Sequence, residues 1–210
     1  MRDPKDKVTI EDFDANAADW DPVRQFRRWF DDAIASGARL PESMTLATAT
    51  TSGRPSARVV LLKQVDESGF VFYTNYRSSK ARELDENPQA ALVFYWSGLD
   101  RQVRVEGTVA RVSAEESNAY FKTRPRESQL GALASPQSAV IENREVLESK
   151  VRELDELYRN RPIDRPEYWG GYRLKPDRVE FWQNRAGRLH DRILYERQAN
   201  NSWTIKRLAP

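Results

Sequence analysis

The amino-acid sequence predicts a mainly β protein with helices, an antiparallel barrel of the α+β class. Several short segments alternate apolar and polar residues with a period of two, which is typical of half-buried strands. Tight turns such as 52–55 (SGRP) and 66–69 (DESG) separate successive segments, so we expect antiparallel hairpins. No β-α-β alternation is present and no Gly-rich phosphate loop follows a strand, which argues against a doubly wound sheet.

The predicted organisation is one domain over residues 21–210, preceded by a polar arm, residues 1–20, that we expect to be flexible. A helix begins at Asp21 and Pro22, an N-cap followed by proline at the first helical position, and Gly37 ends it. A further helix is predicted from Ser78 or Ser79 to about residue 86, and another follows the capping box 113–116 (SAEE). A second short helix in the middle of the chain ends at residue 134, and a last helix covers 145–159. Strands are predicted at 44–51, 57–64, 70–75, 90–96, 101–112, 169–174, 178–182, 191–197 and 203–208.

Composition excludes several classes of function. The 210 residues include no cysteine and one histidine, which rules out disulfides, iron–sulfur clusters and a multi-histidine metal centre, so we predict no metal site. The net charge of +2 gives no field that would recruit nucleic acid or an anionic membrane. No apolar run approaches the roughly 20 residues that a membrane span needs, and the absence of cysteine suits a cytoplasmic protein.

Two segments near the first hairpin carry donors for an anion. Segment 58–63 (RVVLLK) has a cation at each end, and on a regular strand Arg58 and Lys63 would leave opposite faces. The alternative is a buried strand with solvated ends. Segment 73–80 (YTNYRSSK) joins a strand to a helix start, where free N–H groups, hydroxyls and a lysine favour phosphate, although an ordinary N-cap would look similar.

A second set of donors surrounds a proline break in the helical middle of the chain. Tyr120, Arg124, Arg126 and Ser128 could offer a phenol, two guanidinium groups and a hydroxyl to a second phosphate. The alternative is a solvated helix junction. The pairs 101–102 (RQ) and 137–138 (QS) add groups that suit the hydrogen-bonding edge of a heterocycle.

The segment 180–192 contains the one histidine, His190, among three arginines, Arg185, Arg188 and Arg192, after the ring of Trp182. Arginine stacks on rings and binds phosphate, and histidine titrates near neutral pH, so a flat anionic ligand is a plausible occupant. The alternative is a solvated edge strand. On an extended chain Arg188, His190 and Arg192 would share one face.

Taken together, these segments resemble the pyridoxine/pyridoxamine 5′-phosphate oxidase family. The resemblance is colinear from about residue 21 to residue 210 and rests on eight runs in order. The runs are 58–63 (RVVLLK), 72–75 (FYTN), 101–107 (RQVRVEG), 124–132 (RPRESQLGA), 169–172 (WGGY), 180–183 (EFWQ), 188–192 (RLHDR) and 207–210 (RLAP). Any one run could arise by chance, but all eight in order are specific.

The resemblance implies a split β-barrel homodimer with FMN at the subunit interface. It implies oxidation of pyridoxine or pyridoxamine 5′-phosphate to pyridoxal 5′-phosphate in vitamin B6 metabolism, with O2 as acceptor and H2O2 as product. Such a protein would have a small-molecule substrate and no nucleic-acid or membrane partner. Alternatives are a phenazine-type flavin oxidase of the same fold and a non-catalytic flavin-binding protein.

The resemblance also implies roles for individual residues. Arg58 and Lys80 would hold the FMN phosphate beside Tyr73, Thr74 and Ser79, and the catalytic pair would be Arg188 and His190. The other implied FMN contacts are Val59, Val60, Leu61, Leu62, Lys63, Gln102, Gln137, Ser138, Trp182 and Arg192. The implied substrate contacts are Lys63, Tyr120, Arg124, Ser128, Arg188, Leu189 and His190. Arg185 receives no role and is expected to be solvated.

Two departures from the family pattern affect these expectations. Position 79 is serine where many members carry a second cation, which weakens the expected grip on the FMN phosphate. No tyrosine precedes Tyr73, so the Arg-x-x-Tyr pattern with which the arm closes over substrate in some members is absent. The chemistry leaves two roles open for Arg188 and His190: they stabilise the phenolate-like oxygen carried by the pyridine ring of the substrate, or they assist removal of a proton.

Overall fold

The computed structural model describes residue 13 and residues 18–210, and in this part of the chain nine strands form one antiparallel sheet with five helices packed on it. The strands are β1 (Ser43–Ala49), β2 (Pro55–Leu61), β3 (Gln64–Asp66), β4 (Gly69–Asn75), β5 (Gln89–Trp96), β6 (Arg101–Arg111), β7 (Trp169–Gln183), β8 (Asp191–Arg197) and β9 (Trp203–Arg207). The helices are α1 (Pro22–Ala35), α2 (Ser79–Glu86), α3 (Ala114–Thr123), α4 (Arg126–Ala134) and α5 (Arg144–Leu157). The α+β antiparallel split barrel predicted from the sequence is confirmed.

Strand β7 organises the sheet. The strand order is β2-β1-β5-β6-β7-β4-β3, and β8 and β9 extend the sheet from β7. One edge of β7 pairs with β6, while the other edge pairs first with β4 and then, further along, with β8. The two halves of β7 therefore pair with different strands on that edge.

The sequence predicts two strands at 169–174 and 178–182, and the structure corrects this to the single strand β7. Its register with β6 shifts between Glu106 and Gly107, where Gly107 pairs with Pro176. Proline is tolerated at such a bulge because its missing N–H costs no ladder hydrogen bond there. A Cβ atom on Gly107 would lie 2.0 Å from the carbonyl oxygen of Lys175, so glycine is needed for the close approach.

The predicted strand 57–64 also ends earlier in the structure. Strand β2 stops at Leu61, and the N–H of Lys63 already donates to the carbonyl of Val71. The short strand β3, which the sequence analysis missed, then pairs with β4. Arg58 and Lys63 are therefore not on one regular strand, and the parity argument that separated them does not apply.

Helix α1 fills the interior of the barrel with its apolar face. The ring of Phe26 is fully buried and lies 4.9 Å from that of Phe70 and 4.8 Å from that of Phe94. The predicted N-cap is confirmed, because the side chain of Asp21 accepts a hydrogen bond of 2.8 Å from the N–H of Val23. The capping box ahead of α3 is likewise confirmed by a 3.0 Å bond from the N–H of Glu116 to Ser113 Oγ.

Most of the predicted arm, residues 1–12 and 14–17, lies outside the described residues. Phe13 is buried with its ring 4.8 Å from that of Trp29, and the hydroxyl of Tyr195 donates to the carbonyl of Asp19 at 2.7 Å. These contacts join the described part of the arm to the barrel. Within the described residues, none of the helices combines the length and the apolar character that a bilayer crossing requires.

Candidate functional site

The first candidate cluster forms where the end of β4 meets the start of α2 and the loop after α4. We call it the Lys80 cluster, and its predicted members are Arg58, Thr74, Ser79, Lys80, Gln137 and Ser138. The ammonium of Lys80 donates to Thr74 Oγ1 at 3.2 Å and to Gln137 Oε1 at 3.0 Å. The N–H of Ser79 donates to Ser138 Oγ at 3.2 Å. The structure thus brings side chains from three separate segments together.

Arg58 enters this cluster from β2, held by a carboxylate that the sequence analysis did not identify. Its Nη2 lies 3.1 Å from Glu83 Oε2 on α2 and 2.5 Å from Ser56 Oγ. Its Nη1 donates to Thr48 Oγ1, and Thr48 and Ser56 also donate to Glu83. The guanidinium is therefore fixed in orientation by groups of its own chain.

The electrostatics of the Lys80 cluster favour an anion. Burial and the nearby charge of Arg58 lower the pKa of Lys80. Lys80 has no ion-pair partner within 4.0 Å among the described residues. Burial disfavours the charged form of Glu83, but hydrogen bonds from Ser56, Thr48 and Arg58 outweigh it and hold the pKa of Glu83 below its usual range. Two cations thus face one carboxylate.

The second candidate cluster, the Arg124 cluster, consists of Tyr73, Tyr120, Arg124 and Trp169. The rings of Tyr73 and Tyr120 stack with centroids 3.9 Å apart, and Tyr73 stacks on Trp169 at 5.4 Å. The guanidinium carbon of Arg124 lies 4.6 Å from the centre of the Trp169 ring, a cation–π contact. Ser128 follows in the first turn of α4 and is half-buried.

The Arg124 guanidinium includes a buried donor, Nη1, that has no hydrogen-bond partner in the described part of the chain. Burial lowers the pKa of Arg124, and burial together with Glu116 and Tyr120 raises the pKa of Tyr73 to about 12. A buried donor without a partner is costly unless a ligand satisfies it, so this position suits an anion.

The third candidate set lies at the other end of β7, on the outer face of the sheet. Gln102, Trp182 and Arg192 are direct neighbours across β6, β7 and β8, and we call them the Trp182 row. The ring of His190 packs on that of Trp182, with centroids 4.7 Å apart at 46°. Groups that can stack and hydrogen-bond therefore lie side by side.

Arg192 is held by two contacts that the sequence analysis also missed. Its Nε donates to Glu180 Oε1 at 2.8 Å, and its Nη1 donates to the carbonyl of Ala209 at 2.9 Å. The hydrogen bond to Glu180 raises the pKa of Arg192. Arg104 approaches the same carboxylate at 3.4 Å. The last residues of the chain thus help to orient this arginine.

The segment before β8 differs from the expectation. Arg188 ends a 3₁₀ turn, Ala186–Arg188, and has a left-handed backbone with φ of 63°. The extended-chain argument that put Arg188, His190 and Arg192 on one face is therefore wrong. Arg185 is not solvated, because its side chain is 21% exposed and its Nε lies 2.6 Å from Asp191 Oδ2.

The remaining residues predicted to contact FMN or substrate differ in exposure. Val59 is 66% exposed and Leu189 is 74% exposed, while Leu62 is buried. Val60 and Leu61 are half-buried on β2, and Lys63 is exposed in the link to β3. The ammonium of Lys63 makes no hydrogen bond or ion pair with another described residue.

The Lys80 cluster and the Trp182 row lie at opposite ends of β7. Thr74 pairs with Gly170 near the start of the strand, and Trp182 follows 12 residues later. At about 3.3 Å per residue, these points are separated by a contour of about 40 Å. A cavity of about 960 Å³ lies between α5 and the loop 135–139, and of the predicted site residues only Gln137 and Ser138 line it, at the Lys80 end.

These features define an α+β split-barrel protein with two cationic clusters and a stacking row. The family model described as pyridoxamine 5′-phosphate oxidase matches residues 30–158. The model of the pyridoxine 5′-phosphate oxidase C-terminal dimerisation region matches residues 169–210. The chain belongs to the pyridoxine/pyridoxamine 5′-phosphate oxidase family and is an oxidoreductase of that family.

Individual relatives agree with this assignment. A pyridoxine/pyridoxamine 5′-phosphate oxidase of Rubrobacter xylanophilus is 58% identical over 93% of this chain and 89% of its own length. One from Trichormus variabilis is 52% identical over 100% of this chain and 98% of its own. The solved structure of PhzG from Burkholderia lata, in complex with tetrahydrophenazine-1-carboxylic acid, is 32% identical with a TM-score of 0.90, covering 95% of this chain and 98% of that one.

Proposed function

We propose that the protein is a cytoplasmic FMN-dependent oxidase that converts pyridoxine 5′-phosphate or pyridoxamine 5′-phosphate to pyridoxal 5′-phosphate. With the alcohol, O2 is reduced to H2O2 as the substrate carbon is oxidised to the aldehyde. With the amine, water is also consumed and ammonia is released. The observation that carries the proposal is that Arg124 Nη1 is buried and has no hydrogen-bond partner among the residues that the structure describes.

The Arg124 cluster fits a substrate phosphate. Arginine binds phosphate through paired N–H donors, and burial strengthens such bonds. Tyr120 and Ser128 add hydroxyl donors from the adjacent helices. Lys63 would complete the set, as the family resemblance implies. A phosphorylated vitamin would thus be recognised by its phosphate, while its ring lies toward the flavin.

The Lys80 cluster fits the FMN phosphate. Lys80 is partly buried with no ion-pair partner among the described residues, and the charge of Arg58 is only partly neutralised by Glu83. The hydroxyl and backbone donors around Ser79 supply further partners at the start of α2. The flavin would accept the two electrons and the hydrogen that leave the substrate carbon. The protein would contribute binding, orientation and charge.

The separation along β7 supports a cofactor bound between two subunits. The Lys80 cluster and the Trp182 row would both contact FMN, and Thr74 of the cluster pairs with β7 at Gly170, 12 residues before Trp182. In a homodimer, the row of one subunit would meet the Lys80 cluster of the other. The match to the family's dimerisation region includes the whole of β7, β8 and β9.

The outer face of the sheet offers a surface for that dimer. Val59 and Val93 flank Thr45 in one row across β2, β1 and β5, and Val59 is 66% exposed. Tyr95, 58% exposed, is the direct neighbour of Gln102 in the Trp182 row. An exposed apolar face that continues into a predicted cofactor site is typical of a subunit interface.

The second candidate function is that of a phenazine-type flavin oxidase. The similarity to PhzG over nearly the whole chain favours it. A substrate without phosphate would leave Arg124 Nη1 buried and without a partner in the described part of the chain, and this argues for the vitamin phosphates instead.

The test is to purify the protein, reconstitute it with FMN and supply substrates in air. Pyridoxine 5′-phosphate and pyridoxamine 5′-phosphate should yield pyridoxal 5′-phosphate and H2O2 in equal amounts, while unphosphorylated pyridoxine should react far more slowly. A yellow protein that turns over a reduced phenazine carboxylate but neither vitamin phosphate would favour the second function. A protein that does not bind FMN would refute both.

A further inference from the structure

The two roles left open for His190 differ in which ring nitrogen carries the proton. A residue that removes a proton needs an unprotonated nitrogen facing the substrate, whereas a residue that stabilises an oxyanion needs an N–H there. We infer that His190 is a fixed hydrogen-bond donor: its Nδ1 is held as an acceptor, so its proton sits on Nε2. The role in turnover rests on the proposed function, but the proton position does not.

The decisive contact is with the backbone. The N–H of Arg185 donates to Nδ1 of His190 at 3.2 Å. A backbone N–H can only donate, so Nδ1 must present its lone pair toward it. A neutral imidazole has one N–H, and with Nδ1 serving as acceptor that proton must be on Nε2. Placing a proton on Nδ1 would break this hydrogen bond.

The donor is itself held in place. Asp191 Oδ2 accepts from Arg185 Nε at 2.6 Å, and Asp191 Oδ1 lies 2.8 Å from Arg207 Nη1 on β9. Burial opposes the charge of Asp191, but these two arginines hold the pKa of Asp191 below its usual range. Asp191 therefore stays anionic at neutral pH and acts as a positioning residue for the turn that presents the Arg185 N–H.

The ring of His190 is restrained on a second side. It packs on the Trp182 ring at 4.7 Å, while the backbone turn holds the Nδ1 edge. Nε2 has no hydrogen-bond partner among the described residues. With one nitrogen anchored and one face covered, the remaining polar group is an Nε2–H.

This arrangement selects between the two open roles. In the proposed reaction the Nε2–H would donate to the phenolate-like oxygen attached to the pyridine ring of the vitamin phosphate and would stabilise the negative charge on that oxygen. His190 would not remove the substrate proton. The preorganised N–H would need no change of protonation during turnover. Specificity would then favour aromatic substrates that carry an oxygen at that edge of the ring.

Because the chain has a single histidine, its proton position can be read directly. The FMN-loaded protein, labelled with ¹⁵N-histidine, would be examined by two-dimensional NMR at about pH 8, above the ordinary histidine pKa of about 6.5. We expect one imidazole with a protonated-type Nε2 and a pyridine-type Nδ1. A protonated Nδ1, or an average of both tautomers, would overturn the inference even if the enzyme is active.

A matched pair of variants tests the role. In His190→Gln the amide nitrogen can replace the Nε2–H donor, and in His190→Asn the amide can replace only the Nδ1 acceptor. We expect His190→Gln to retain at least about 10-fold more kcat than His190→Asn, the value of one hydrogen bond to a charged group. Equal losses, or better activity of His190→Asn, would contradict the donor role, provided that both variants bind FMN normally.

The activity assay and the NMR measurement test the proposed function and the position of the His190 proton independently. If the vitamin phosphates are not substrates, the proposed function is wrong, but the NMR result still decides where the proton resides. If the enzyme is active and the tautomer is the other one, the proposed function stands and this inference is wrong.

Discussion

The Lys80 and Arg124 clusters both gather cations around an expected phosphate, but they satisfy those cations differently. In the Lys80 cluster, Arg58 is held by Glu83 and two hydroxyls, and Lys80 has two oxygen partners. In the Arg124 cluster, the guanidinium rests on an aromatic ring, and Nη1 has no partner in the described part of the chain.

This difference indicates two ways to hold the same chemical group. Oxygen partners fix the cations of the Lys80 cluster before any ligand arrives, and an incoming phosphate must share them. The Arg124 cluster orients its cation through ring packing and leaves the buried Nη1 without a partner among the described residues, so ligand binding removes a desolvation penalty. We therefore expect the Arg124 site to depend on one residue and the Lys80 site to spread its affinity over several.

The largest effect should follow from Arg124→Leu. The variant keeps apolar packing against Trp169 but loses the buried donors for the substrate phosphate. Two charge-assisted hydrogen bonds correspond to a fall in kcat/KM of roughly 100- to 1,000-fold for the vitamin phosphates. FMN affinity, measured by fluorescence titration, should change little.

Arg126→Leu is the matched control, two residues further along, because the structure pairs the Arg126 guanidinium with Asp155 and not with the Arg124 cluster, contrary to the expectation from sequence. Its guanidinium is bound by Asp155 at 2.8 Å on the protein surface, so kcat/KM should stay near the parent value. If Arg126→Leu were as damaging as Arg124→Leu, or if Arg124→Leu lost FMN instead of substrate, the assignment of the Arg124 cluster would be refuted.

A smaller effect is expected from Lys80→Met in the other cluster. Met preserves the length of the side chain and removes the charge, while Arg58 and the hydroxyls remain. The FMN dissociation constant should rise about 10- to 100-fold, and riboflavin, which lacks the phosphate, should bind with unchanged affinity. Titration of both flavins measures this difference.

Lys150→Met serves as control, since Lys150 is exposed and paired with Glu153 at 2.9 Å. It should alter neither titration. An equal loss of FMN and riboflavin in Lys80→Met would mean that Lys80 supports the flavin ring or the fold, and would contradict a phosphate role.

Sequence reasoning predicted the parts of these clusters that lie close together in the chain. Thr74, Ser79 and Lys80 belong to one strand-to-helix segment, and such a segment has a limited set of geometries. The helix caps at Asp21 and Ser113 were also predictable, because capping depends on local sequence. Most strands, and the antiparallel hairpins between successive ones, followed from period and turns, whereas β3 was missed and β7 was predicted as two strands.

The parts that could not be predicted depend on tertiary contacts or on unusual backbone. Glu83 reaches Arg58 only because α2 packs against the β1–β2 hairpin. Trp169 meets Tyr73 through the pairing of β4 with β7, nearly 100 residues apart in sequence. The left-handed Arg188 carries no sequence signal, since non-glycine residues rarely adopt that conformation.

The smallest expected effect concerns stability and tests whether Glu83 fixes the Lys80 cluster in advance. Its folded-state pKa lies below that of the unfolded chain, about 4.3. Its contribution is therefore complete above that pH and is lost as the pH falls through the folded-state pKa. Glu83→Gln should lower the free energy of unfolding by about 1 kcal/mol at neutral pH, and the difference should shrink below about pH 4.

Urea unfolding of the parent and the variant at several pH values measures this difference. The measurement is made without FMN and with saturating FMN, because a ligand bound only by the native state adds to the free energy of unfolding. Glu148→Gln is the control: Glu148 forms an exposed i,i+4 pair with Arg144, and its loss should cost at most about 0.5 kcal/mol. A Glu83→Gln difference that is independent of pH would show that the carboxylate charge is not what holds Arg58. The Lys80 cluster would then not be fixed in advance by the charged oxygens of Glu83, and the proposed difference from the ring-packed Arg124 cluster would be refuted.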